Sequence, residues 1–88
     1  MLSKQELEKF KKLVATLLAT SETILTDVRR RLALRPDKVG DFNYVQLEIN
    51  EAYVEGEIKV LESHLARVNA ALAEYEMHEI TEEEHNDE

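Results

Sequence analysis

From Val54 onward the chain places an apolar residue at alternating steps of four and three without a break: Val54, Ile58, Leu61, Leu65, Val68, Leu72 and Tyr75. Leu47 lies one heptad earlier. A period of 3.5 residues holds a single narrow stripe against a partner helix, the pattern of a coiled coil. A helix with that stripe cannot bury it alone. The first half of the chain supplies a partner, because Leu7, Phe10, Val14, Leu17, Ser21, Ile24 and Val28 follow the same spacing. Between the two runs stands Pro36, which lacks an N–H and disfavours a helical residue before it. The pattern predicts an all-α fold, a long antiparallel two-helix hairpin.

The boundaries follow from local chemistry. Ser3-Lys4-Gln5-Glu6 fits a capping box, with Leu2 and Leu7 at hydrophobic-staple positions, so the first helix is expected over residues 3–34. Residues 35–42 form the tip, and Asp41 or Asn43 caps a second helix over 43–78. Together they form one domain, residues 1–78. Residues 79–88 carry one aliphatic side chain among many acids and are expected to be a disordered tail. Helices of about 32–36 residues run roughly 48–54 Å. A compact globule of this size spans only roughly 30 Å, so the chain must be a rod.

The apolar faces are wider than one hairpin needs. On the first helix they cover an arc of about 140° and include Leu13, Leu18 and Leu25 beside the 3–4 run. On the second, Phe42, Ile49, Tyr53 and Val60 form another stripe, with Gly56 in its midst. Glycine inside a helix costs about 1 kcal/mol against alanine, and close approach by another backbone or side chain is one reason to keep it. Leu13, Leu18, Leu25, Phe42, Ile49, Tyr53, Gly56 and Val60 are therefore expected to form an oligomer interface. The simplest assembly is a homodimer that pairs two hairpins into a four-helix bundle. A different protein partner is the alternative.

Composition excludes several functions. The formal charge of −8 repels phosphate, so direct DNA binding is not expected. That charge is divided unevenly. Residues 1–40 carry nine Lys/Arg against five Asp/Glu, a net +4, and residues 41–88 carry two against fourteen, a net −12. No apolar run approaches the roughly 18–20 residues that cross a bilayer. The N-terminus lacks the apolar core of a secretory leader, and with no cysteine the expected location is cytoplasmic.

Chemistry-bearing constellations are sparse. No glycine-rich phosphate loop is present, and no nucleophile setting can be assembled from Ser3, Ser21 or Ser63 with a His and an acid. His78 and Glu82 have the i,i+4 spacing of two metal ligands, but a polar C-terminus accounts for them more simply. His64 flanks the seam, and Tyr44, Tyr53 and Tyr75 read as packing residues. No catalytic residue, metal site or cofactor is expected, and the chain does not read as an enzyme.

Gly40-Asp41 and Tyr53-Val54-Glu55-Gly56-Glu57-Ile58-Lys59-Val60-Leu61-Glu62 carry a family resemblance. The stretch resembles the N-terminal helical hairpin of bacterial Gre transcript-cleavage factors. There a Gly-Asp-Leu-Ser-Glu-Asn-Ala-Glu-Tyr tip leads into an aromatic-Ile-Glu-Gly-Arg-Ile-x-x-Leu-Glu helix. Tyr44 stands for the closing tyrosine of that tip, and Leu2 to Phe10 is similar to the family's first helix. The resemblance implies a finger that enters the secondary channel of RNA polymerase, with Asp37, Lys38, Asp41 and Tyr44 at its partner-binding tip. Only Asp41 carries over onto the family's metal-holding acids. Four tip residues, the tip glutamate among them, have no counterpart, and neither has the family's C-terminal domain. One carboxylate holds a hard cation poorly. The resemblance therefore implies polymerase binding and modulation of transcription without robust RNA cleavage. A small oligomeric adaptor, chaperone or assembly protein is the alternative function.

Overall fold

The computed structural model of the chain describes residues 2–34 and 40–86, with side chains described through residue 78. Two helices account for the fold, α1 over Lys4–Ala33 and α2 over Phe42–Asn86. They pack against each other along their length, which is the expected all-α hairpin. The contacts run antiparallel. At one end the Tyr75 hydroxyl donates to the Leu2 carbonyl at 2.6 Å, and towards the other Arg29 reaches Glu51 and Glu55.

Local chemistry explains the helix ends. Ser3 is the N-cap of α1, with extended φ and ψ of −70° and 163°, and its Oγ accepts from the Glu6 N–H at 3.1 Å. The Ser3 hydroxyl also donates to the Glu6 carboxylate at 3.2 Å, so the box closes through side chains. At the other end Leu34 donates its N–H to the Arg30 carbonyl, and Arg30 and Arg31 complement the dipole of the last turn. Asp41 caps α2, its carbonyl accepting from Val45 N–H at 2.9 Å and its Oδ1 from Phe42 N–H at 3.0 Å. Gly40 immediately before it has φ of +91°, a left-handed conformation that side chains resist.

The second helix runs further than its composition suggests. It is helical to Asn86, beyond the end expected near His78. Residues 79–86 contain neither Gly nor Pro, and the helix propensity of their glutamates outweighs their unfavourable charge at a helix C-terminus. Because Tyr75 is level with Leu2, the later turns of α2 project past the start of α1. The molecule is accordingly longer than expected, 73 × 21 × 14 Å, with a radius of gyration of 20.3 Å. A compact chain of this length has about 12 Å.

The seam of α2 is longer than its apolar residues alone reveal. Tyr44, Leu47, Glu51, Val54, Ile58, Leu61, Leu65, Val68, Leu72 and Tyr75 are all buried or half-buried, an unbroken 3–4 series. Glu51 fills the one position without an apolar side chain. On α1 the packed track differs from the expected one. Leu7, Val14, Ser21 and Val28 are buried as predicted, but their companions are Leu18, Leu25 and Leu32. Phe10, Leu17 and Ile24 are left 39%, 46% and 46% exposed. Both tracks share the same heptad positions and differ only in the residues between. Near the turn the observed track offers Leu25 and Leu32, whereas the other would bring Arg31 into the seam. The apolar choice wins because a guanidinium loses its hydration there.

The neighbours Ile24 and Leu25 separate the two tracks. Leu25→Ala should cost about 2–3 kcal/mol through the cavity it leaves. Ile24→Ala should cost less than about 1 kcal/mol in the isolated hairpin. Urea unfolding of both variants at low protein concentration measures the difference, and equal losses would place the seam wrongly.

Candidate interaction face

The packed seam uses one side of each helix and leaves an apolar stripe beside it on both. On α1 the stripe is Phe10, Leu13, Leu17 and Ile24, and on α2 it is Phe42, Val45, Ile49, Tyr53 and Val60. The two stripes meet. Leu17 and Ser21 of α1 and Ala52, Tyr53, Gly56, Glu57, Val60 and Leu61 of α2 line one open groove. Tyr53 is 70% exposed at its edge, Ile49 61% and Val60 56%. Of the two stripes, Leu17, Tyr53 and Val60 share the groove, and large apolar side chains exposed together mark an interaction site more often than an inert surface.

Charge is also depleted on the α1 side of this groove, whereas Glu57 lines it on the α2 side. From Leu13 to Thr26, about four turns of α1, the one charged residue is Glu22. Hydroxyls there are satisfied internally, since Thr16, Thr20, Thr23 and Thr26 each donate to the carbonyl four residues earlier at 2.9–3.0 Å. Depletion of charge at the centre with polar groups at the rim is the anatomy of a protein interface.

Gly56 lies on the α2 side of this groove. A Cβ built there meets nothing within 4 Å, so packing inside the hairpin does not require glycine. Its missing side chain leaves a notch open to the outside, flanked by Tyr53 and Val60.

The expected interface residues thus divide. Leu13, Phe42, Ile49, Tyr53, Gly56 and Val60 are exposed. Leu25 is buried and Leu18 half-buried in the hairpin's own seam, where they are committed to α2. Phe10, Leu17 and Ile24, read from sequence as seam, take their place on the outer face. Of the expected tip, Asp37 and Lys38 lie outside the described residues. Asp41 is exposed and engaged as an N-cap, and Tyr44 is half-buried at the start of the seam. The side chain of Glu82 also lies outside the described residues. Among those described, no group of three or more His, Cys, Asp or Glu is placed to hold a metal ion. No helix among them is long and apolar enough to cross a membrane.

Ion pairs hold the opposite edge. Arg29 bridges from α1 to Glu51, with Nε at 3.3 Å from the carboxylate, and to Glu55 through its other guanidinium arm. These two carboxylates raise the pKa of Arg29, Glu55 more than Glu51. Asp27 pairs with Arg30 at 2.8 Å and Arg31 at 3.0 Å along its own helix. The Arg30 hydrogen bond is the first cause of its lowered pKa, opposed by partial desolvation and assisted by the charge of Arg31.

No known protein family matches this chain, and neither a curated protein nor a solved structure is similar to it.

The pH dependence of the Asp27 cluster has a definite sign. A carboxyl with a lowered folded-state pKa stabilises the fold above its unfolded value and loses that contribution as pH falls through the folded one. Asp27 should therefore titrate below its ordinary value of 3.8, with its contribution lost only in more acidic solution. Carboxyl chemical shifts followed by NMR measure this. Arg30→Ala should raise the Asp27 pKa more than Arg31→Ala does.

Proposed function

We propose that this protein is a protein-interaction module, an adaptor or assembly factor whose hairpin presents a lateral apolar face to another protein surface. The groove shared by Leu17, Tyr53, Gly56 and Val60 carries the reading. It joins two exposed stripes that the hairpin itself does not use, beside a stretch of α1 with a single charge. The rod shape suits such a role, because a long flat surface offers a large contact area for few residues. Nothing in the face resembles reaction chemistry: its side chains are aliphatic and aromatic, with Ser21 and Glu57 as the polar groups of the groove.

A second reading is a Gre-like finger that binds RNA polymerase through its tip and modulates transcription without robust cleavage. Its support is the resemblance of Gly40–Leu65, with Gly40 left-handed at the junction and Asp41 exposed beside it. The cap hydrogen bonds of Asp41 supply a structural role for that residue without a metal. The lateral face is the better supported site, since a channel finger acting through its tip needs no apolar stripe along its side.

Site-directed photo-crosslinking in cells separates the two readings. A benzophenone side chain at position 53 should give adducts, while one at Glu62, an exposed position outside the groove, should not. Adducts to polymerase from positions 41 and 44, with none from 53, would establish the finger and remove the lateral-face reading.

A further inference from the structure

The groove has a specific occupant. We infer that a second copy of this chain covers the lateral face, with α1 of each copy laid over the Tyr53 ring and the Gly56 notch of the other. This rests on the lateral-face reading and names its partner.

Surface area is the first argument. The chain exposes 7039 Å². A compact folded chain of 10.2 kDa exposes about 5,300 Å². The excess of about 1,700 Å², shared between the lateral face and the turns of α2 that project past α1, exceeds the roughly 800 Å² each partner gives up in a standard stable interface. No side chain is fully buried among the described residues, so the hairpin alone has no closed core. Two hairpins packed face to face make a four-helix bundle, the smallest set of whole hairpins that encloses one.

Charge separation is the second. Residues 4–33 of α1 carry seven Lys/Arg against four Asp/Glu, a net +3. The whole of α2 carries two against eleven, a net −9. Among the described residues Arg29 makes ion pairs that cross between the helices, and Lys9, Lys11 and Lys12 form none with any of them. Those lysines share a groove with Asn69, Leu72 and Glu76, so they lie level with the acidic far half of α2. A two-fold axis along the rod sets α1 of each copy over α2 of the other at the same level. The basic helix then meets an acidic one on both sides, and the nearly uncharged stretch from Leu13 to Thr26 lies over the Tyr53–Val60 stripe.

Shape is the third. Tyr53 is a large, exposed ring three residues from a glycine that the hairpin does not need. With α1 of each copy over α2 of the other, the notch lets that facing helix approach closely while the Tyr53 ring packs along it, and the two-fold operation repeats the contact on the other side. Glycine at position 56 then has a physical reason: a methyl group would fill the notch.

Position 56 gives a test in which two effects have opposite signs. Gly56→Ala improves helix propensity and meets no atom inside the hairpin. It should raise the melting temperature of the dilute chain measured by circular dichroism. In sedimentation equilibrium of the full chain up to about 100 µM, wild type should form dimers, and Gly56→Ala should weaken them by roughly tenfold. Tyr53→Glu should weaken them at least as much. A wild-type chain that stays monomeric throughout that range would overturn the inference. So would a dimer indifferent to both substitutions, since it would use another surface. The crosslinks from position 53 keep the two levels apart. An adduct of twice the chain mass supports the second copy, an adduct to a different protein overturns it while leaving the lateral-face reading intact, and no adduct removes both.

Discussion

The structure depends on one strip of contact, the 3–4 seam of α2 laid against α1. Each helix can turn only a limited arc towards the other, so a two-helix rod buries one stripe per helix and no more. Leu7, Val14, Leu25 and Val28 meet Val54, Val68 and their half-buried neighbours in a core one layer deep. Everything else on the molecule follows from which stripe is inside. Apolar residues outside that arc remain on the surface whatever their hydrophobicity, and here they are numerous enough to form a second face.

Polar groups steer the seam where apolar ones leave it undecided. Glu51 occupies a seam position and is paired with Arg29, which also holds Glu55. Exposed pairs of this kind add little to stability, but they fix which edge of α1 lies against which edge of α2. The hydrogen bond from Tyr75 to the Leu2 carbonyl sets the register at the far end. Between these two points α1 has little freedom to rotate, and Leu17 and Ile24 are turned away.

The same rotation makes the exposed apolar face. Had α1 packed through Phe10, Leu17 and Ile24, Leu18 and Leu25 would stand outside and the groove beside Gly56 would lose its α1 wall. With the observed packing, Leu17 and Ser21 form that wall and meet Tyr53, Ala52 and Val60 from α2. The groove is therefore a product of both helices, and neither carries it alone. A sequence pattern confined to one helix gives the members of a stripe without saying which stripe of the other helix will lie beside it.

The amino-acid sequence alone determined the elements that depend on near neighbours. The Ser3 box, the Asp41 cap and the seven-residue repeat from Val54 to Tyr75 are local in origin, and the hairpin follows from them. The exposed stripe of Phe42, Ile49, Tyr53 and Val60 was also legible, because α2 has one apolar track that is plainly its seam and another that is plainly not. The tertiary structure alone decided the rest. On α1 two tracks share Leu7, Val14, Ser21 and Val28, and periodicity is blind to the choice between Leu17 with Ile24 and Leu18 with Leu25. That choice is a rotation of one helix about its own axis, set by contacts with a helix tens of residues away. The continuation of α2 to Asn86 was hidden for a different reason: an acidic, polar composition suits a solvated helix as well as a disordered chain.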